Sequence, residues 1–323
     1  MKRNPVSVMG LLALSIVLGA AKPPSTMDGA PLYAIGVVTP DIEATVRQYE
    51  RVTGVIPENM GTASITEPDG TRVTAKMYVV FMSNFYIKLF QPITPNGPYA
   101  RHLDKFGMSI QNAQFAVSDL PAVRGRMIEN GGRWSLGAPG DGWAYVDFKE
   151  KLGLTLEPMS TPKPERPLNL APGTSSPLGA MPVTHIGIAV LDVKKAGKAY
   201  SKVFGIPEPK IERVRISKYP PGSDGKDVHR FRIARWQQGA VGMELLEPTT
   251  LPDASKAFMT NHGGNAAYYI TFDAGDRFEQ VRDDLQKKGG KRIYGSPDGG
   301  SSYLDFLDTL GLVVKITGSP RKR

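Results

Sequence analysis

The chain repeats itself, and that repetition limits its fold more than any other feature. Gly36, Tyr49 and Gly54 recur as Gly187, Tyr200 and Gly205, each 151 residues later. KLFQP (Lys88 to Pro92) matches ELLEP (Glu244 to Pro248) at 156 residues. YVDFKEKLGLTLE (Tyr145 to Glu157) matches YLDFLDTLGLVVK (Tyr303 to Lys315) at 158. Offsets that hold within segments and grow by small steps describe a duplicated unit with loop insertions. Two copies of one domain are therefore expected, over residues 31–160 and 182–318. The Pro-, Ser- and Gly-rich stretch 161–181 between them reads as a linker, because these residues resist both helix and ladder.

Each copy alternates two periodicities. DIEATVRQYERV aligns Ile42, Val46, Tyr49 and Val52 on one helical face, and DVKKAGKAYSKV does the same with Val193, Ala196, Tyr200 and Val203. Later helices, DLPAVRGRMIENGG and DRFEQVRDDLQKKGG, end in glycine pairs suited to left-handed caps. Between the helices, runs such as VTAKMYVVFM, FYIKLF, HRFRIARW and YYITF are rich in β-branched and aromatic residues and predict strands. The fold class is α+β, with four βαβββ modules, two per copy.

The first residues read as an export signal over 1–21. Lys2 and Arg3 precede the apolar VMGLLALSIVLGA, and Ala20 and Ala21 offer a cleavage site. That apolar run is shorter than the ~20 residues a spanning helix needs. A periplasmic or secreted protein, clear of the membrane after cleavage, is expected. The chain has no cysteine, which excludes disulfides and a lipoprotein anchor but says nothing against an oxidising compartment. The formal charge is +9; removing Lys2 and Arg3 leaves +7, and setting aside Arg321, Lys322 and Arg323 leaves about +4 for the folded body. No basic run is interleaved with aromatics, which excludes a nucleic-acid surface.

The matched segments, HIGIAVLDVKKAGKAYSKVFGIPEP, ELLEP and YLDFLDTLGLVV with their first-copy counterparts, resemble the vicinal oxygen chelate superfamily of glyoxalases, bleomycin-resistance proteins and extradiol dioxygenases. The resemblance covers nearly everything from 32 to 317. It implies two tandem glyoxalase-like domains, each an open barrel around a cavity. In metal-dependent members, ligands come from the starts of the first strands and the ends of the last ones. Those places hold His185, Glu244, Ala267 and Lys315 in the second copy, and Ala34, Lys88, Asn112 and Glu157 in the first.

A catalytic divalent ion needs three protein ligands and an open position, and neither copy supplies them. Lys315 and Lys88 put ammonium groups where ligands belong, and like charges repel. A divalent metal is disfavoured and no cofactor is expected. His229 or His262 would have to swing in to complete a site with His185. The lysines instead pair in sign with Glu244 and Glu157, one Lys–Glu ion pair per copy with its members exchanged between strands. Such a pair either keeps the cavity neutral or marks an active site.

Two functions compete within the resemblance. The first is proton-transfer chemistry of isomerase or lyase type on a carbonyl or aromatic compound. His185 would be the base beside Glu244, and Lys315 or Tyr269 would stabilise an oxyanion. The second is non-catalytic binding or sequestering of a small molecule. Strand alternation from the ligand places turns Tyr86, Phe90, Gln114 and Thr155 inward in the first copy, and Leu246, Tyr269, Thr271 and Val313 in the second. Lys88, Glu157, Asn112, Gln114, Tyr86 and Thr271 are the expected substrate contacts. The loops GAPGDGW and GSPDGGSS beside Tyr145 and Tyr303 are candidate lids, Lys210, Arg213, Arg215 and Lys218 a candidate anionic rim, and His102 a surface helix residue. The chain needs no second copy to complete its pairing, so a monomer or homodimer fits.

Overall fold

The computed structural model describes residues 27–160, 166–174, 177–218, 228–250, 253–296 and 299–319. The export segment 1–21 and part of the linker lie outside them. The first unit runs β1 (Leu32–Val38), α1 (Ile42–Thr53), β2 (Glu58–Thr66), β3 (Arg72–Phe81), β4 (Tyr86–Pro92), α2 (Pro98–Phe106), β5 (Ser109–Ala116), α3 (Leu120–Glu129), β6 (Arg133–Leu136), β7 (Tyr145–Asp147), α4 (Lys149–Leu152) and β8 (Thr155–Met159). The second repeats it as β9 (Val183–Ala189), α5 (Val193–Phe204), β10 (Ile211–Lys218), β11 (Val228–Gln238), β12 (Val241–Pro248), α6 (Ala254–Asn261), β13 (Ala266–Gly275), α7 (Phe278–Lys287), β14 (Lys291–Gly295), β15 (Ser301–Phe306), α8 (Leu307–Leu310) and β16 (Leu312–Gly318). No helix among the described residues is long and apolar enough to cross a membrane.

Strand order is the same in both units, β2-β3-β4-β1-β5-β8-β7-β6 and β10-β11-β12-β9-β13-β16-β15-β14. Duplication of the module is thereby visible in topology. The helices begin where the sequence places an acidic cap. Asp41 accepts from the Ala44 N–H, and Asp192 from those of Lys194 and Lys195. Both α1 and α5 end on a left-handed glycine, Gly54 and Gly205, a conformation that disfavours any side chain with a Cβ. The two tyrosines matched in the sequence then lock the units reciprocally. Tyr49 donates to the Leu310 carbonyl and Tyr200 to the Leu152 carbonyl, each at 2.7 Å.

The expectation of two open barrels requires correction. The second unit is a closed barrel, because β10 pairs with β14 through Ser217–Gly295 and Lys218–Tyr294. The first unit stays an open eight-stranded sheet. At the same corner a backbone bond from Gly137 to the Thr66 carbonyl, 2.9 Å, spans from beyond β6 to the end of β2. Strand β6 has four residues against five in β14, and β2 is largely exposed.

Candidate small-molecule site

The open unit encloses a cavity of about 570 Å³. Strand alternation directs Tyr86, Lys88 and Phe90 of β4 into it, with Gln114 of β5 and Glu157 of β8. Tyr33, Met77, Tyr99, Trp143 and Tyr145 complete much of the wall. Phe90 and Tyr99 stack at 4.6 Å, and Trp143 meets Tyr145 edge-on at 5.6 Å. The site is thus apolar and aromatic with a charged floor.

That floor is the expected ion pair. Lys88 Nζ lies 2.8 and 2.6 Å from the two Glu157 carboxylate oxygens, and Asn112 Nδ2 donates to the second at 2.6 Å. The Tyr145 hydroxyl donates to the same carboxylate. Burial raises the Glu157 pKa, and Lys88, Tyr145 and Asn112 only partly offset it. Asn112 lies across the ladder from Gly36, and a Cβ on Gly36 would overlap its side chain. The glycine recognised as a repeat marker is the space that Asn112 occupies.

In the closed unit the corresponding pair is saturated. Lys315 Nζ lies 2.8 Å from Glu244 Oε1, and Arg235 Nε and the Tyr269 hydroxyl also donate to that carboxylate. Burial pushes the Glu244 pKa up, but Lys315, Arg235 and Tyr269 outweigh it and hold it down to about 2. Burial likewise opposes the charge on Lys315, yet Glu244 and Tyr303 leave its pKa raised. Its ammonium lies 5.2 and 5.0 Å from the ring centres of Tyr269 and Tyr303. Tyr268, Tyr269, Tyr294, Tyr303, Phe231 and Val313 pack together around this centre.

The expected place of Ala267 is corrected by the ladder. Gly36 faces Asn112 and Gly187 faces Tyr269, so Asn112 and Tyr269 are equivalent and Ala267 lies two residues short. Thr271 is the counterpart of Gln114, facing His185 as Gln114 faces Ala34; it is buried, its hydroxyl without a partner among the described residues. Arg235 was missed by sequence reasoning, although it follows Ile233 at the strand period and faces Glu244 across the ladder.

His185 is half-buried on β9 beside Gly242. Among the described residues the donors on Glu244 are Lys315, Arg235 and Tyr269, not His185. Burial lowers the His185 pKa, and Glu244 only partly restores it. The other histidines are engaged elsewhere, His229 with Asp253 at 2.9 Å and His262 with the Phe258 carbonyl at 2.9 Å. His102 is not a surface residue; it is buried against Ser109. Of the expected rim, Arg213 and Arg215 face Arg232 and Arg230 across β10–β11, while the side chain of Lys218 lies outside the described residues.

Among the described residues no three His, Asp or Glu side chains gather as a metal requires. The chemistry of the donor set agrees. Each carboxylate at a ligand position is taken up by an ammonium and further N–H or O–H donors, so the residues present do not fit a divalent ion.

No protein-family model matches the chain, and no curated protein sequence matches it. Its structure is similar to a triple mutant of 4-hydroxymandelate synthase from Streptomyces coelicolor, with TM-score 0.61 and 17% identity over 93% of this chain and 94% of that one. It is also similar to a fusion of a xylose isomerase-like TIM barrel with 4-hydroxyphenylpyruvate dioxygenase, with TM-score 0.53 and 12% identity over 93% of this chain and 50% of that one. The chain has the vicinal-oxygen-chelate fold, as two tandem glyoxalase-like units.

Proposed function

We propose that the protein binds a small aromatic compound carrying a carbonyl, carboxylate or phenolate oxygen, and that it does so in the first unit without a metal ion. The observation that carries this reading is the aromatic cavity of about 570 Å³ with Lys88 and Glu157 on its floor. An ammonium has three N–H donors, and Glu157 takes two of them. The third is left for a ligand oxygen. Phe90, Met77 and Tyr86 offer the flat apolar contacts that fix a ring. The neighbouring folds include proteins named for 4-hydroxymandelate and 4-hydroxyphenylpyruvate, and hydroxyphenyl acids are the probes to try first. Export through loss of residues 1–21 belongs to the same proposal.

Quenching of Trp143, which lines the cavity, reports binding directly. A panel of benzoates, hydroxyphenyl acids and benzaldehydes should quench it, and Lys88→Met should weaken the charged members at least about tenfold, the loss of one charge-assisted bond. Equal affinity of Lys88→Met for charged and neutral probes sinks the proposal, as does stoichiometric iron, zinc, nickel or manganese in the purified protein.

A second reading, isomerase- or lyase-type proton transfer, is favoured by one observation. Glu157 lines the cavity and its pKa is raised, as a general base near neutrality requires. In this reading Glu157 takes a proton from carbon beside the ligand carbonyl while Lys88 stabilises the developing oxyanion. Solvent deuterium should then enter bound ligand at that carbon, and Glu157→Gln should stop it with affinity kept within about tenfold. Absence of exchange leaves binding as the function.

A further inference from the structure

Where the two units meet, a second cavity of about 50 Å³ is bordered by His102, Phe106 and Lys149 of the first unit and His262 and Asn265 of the second. Lys149 Nζ lies 2.8 Å from His102 Nδ1, and His102 Nε2 lies 2.9 Å from Ser109 Oγ. An ammonium only donates, so Nδ1 is the acceptor and Nε2–H points to Ser109. His262 Nδ1 lies 2.9 Å from the Phe258 carbonyl, which only accepts. Its proton is therefore on Nδ1, and Nε2 is a bare lone pair. That Nε2 is buried and has no partner among the described residues. The imidazole is held in place by parallel stacking on Phe106 at 5.5 Å.

Lys149 has no carboxylate within ion-pair distance among the described residues, since its neighbour Asp147 pairs with Arg133 at 3.1 Å. Burial lowers its amine to about 8; Asp147 opposes this, and Lys105, Arg101 and Arg133 add to it. At neutral pH it is still an ammonium. The cavity is thus bordered by an ammonium with N–H groups to spare and no ion-paired carboxylate among the described residues, by an imidazole with one bare, buried nitrogen, and at its edge by the exposed Glu150. A charge withdrawn from water requires a partner, and the cavity has room for more than one water-sized group.

We propose that this junction is a site for a small oxyanion that still carries a proton, bicarbonate in class. One oxygen accepts from Lys149 and the hydroxyl donates to His262 Nε2. A fully deprotonated anion would set lone pair against lone pair at His262, and a water molecule would leave Lys149 uncompensated. Because the two anchors come from different units, the ligand also fastens the units together. The site is separate from the aromatic cavity and does not depend on the function proposed for it.

Thermal unfolding of the full chain at neutral pH and constant ionic strength, with sodium bicarbonate, formate or chloride, tests this. Bicarbonate should raise Tm with concentration well beyond the other two. Lys149→Gln should abolish the rise. His262→Phe, which keeps the stacking, should lower bicarbonate affinity at least about tenfold and remove the preference over formate. Should Lys149→Gln fail to fold, His262→Phe and relaxation of isotope-labelled bicarbonate by the wild-type protein still decide the matter. Equal effects of all three anions, or a bicarbonate response that survives either substitution, mean an adventitious ion only and overturn the proposal.

Discussion

The two units share strand order and the same polar exchange, yet among the described residues the first encloses an aromatic cavity over its ion pair and the second packs a tyrosine cluster around its own. At the position over the matched glycine the first unit has Asn112 and the second Tyr269. Asn112 stops at Glu157, so the space beyond stays open. Tyr269 fills it, its hydroxyl reaches Glu244, and Tyr303 and Tyr294 pack edge-on in turn. The β10–β14 ladder then closes the wall around this cluster, whereas the first unit keeps its β2–β6 side open. A glyoxalase-like unit thus encloses a cavity or an aromatic cluster at its centre according to the volume of a few inward side chains.

Removing the central carboxylate should have the largest effect. Glu244→Ala leaves the buried Lys315 and Tyr269 without their carboxylate, at a cost of about 3–5 kcal/mol. Glu157→Ala should cost less, about 1–3 kcal/mol, because Lys88 borders an open cavity. Urea unfolding midpoints measure both, and equal losses would erase the distinction between the units. Glu244→Lys with Lys315→Glu should recover part of the loss, since the first unit already has that arrangement.

Acid should act on the units with opposite sign. Glu244 is held at about 2 against an ordinary 4.5, so its stabilisation is complete above 4.5 and disappears as pH falls towards 2. By linkage that is on the order of 3 kcal/mol. The Glu157 pKa is raised, so its contribution is complete below 4.5 and is lost as pH rises through the folded-state value. In unfolding midpoints taken against pH, Glu244→Gln should flatten the acid limb and Glu157→Gln the mildly acidic one. A single limb common to both variants would contradict the assignment.

Converting the centre of the first unit towards that of the second is a third test. Asn112→Tyr should lower the affinity for aromatic probes at least about tenfold, near 1.4 kcal/mol, with little change in far-UV circular dichroism. Undiminished Trp143 quenching in that variant would show that Asn112 does not keep the cavity open. The smallest effect belongs to the outer wall of the closed unit, where Arg215 faces Arg230. Arg215→Gln should raise stability by about 0.2–1 kcal/mol, because like charges directly opposite on antiparallel strands repel; a fall in Tm would refute it.

Much of this was legible in the sequence, for local reasons. The repeat offsets carried the duplication, and the period of 3.6 gave α1 and α5. Period-two counting from Lys88, Asn112 and Glu157 turned Tyr86, Phe90 and Gln114 into the cavity, while Thr155, counted inward as well, does not line it. Charge exchange between KLFQP…GLTLE and ELLEP…GLVVK foretold both ion pairs. The counterpart of Asn112 was misplaced by two residues, because the flanking sequence on β5 and β13 is weak and only the ladder register fixes it.

What the sequence by itself determined is therefore the fold, its twofold repetition and the partners inside each unit, all set by periodicity and by charges that cannot be buried alone. How the described residues fill the centre of each unit was decided by tertiary structure alone. That outcome depends on whether β10 meets β14, on Arg235 and Tyr269 arriving together at Glu244, and on tyrosines from several strands sharing one volume. The junction of His102, Lys149 and His262 is of the same kind. These are sums over residues far apart in the chain, and close packing resolves them only when every contributor is in place.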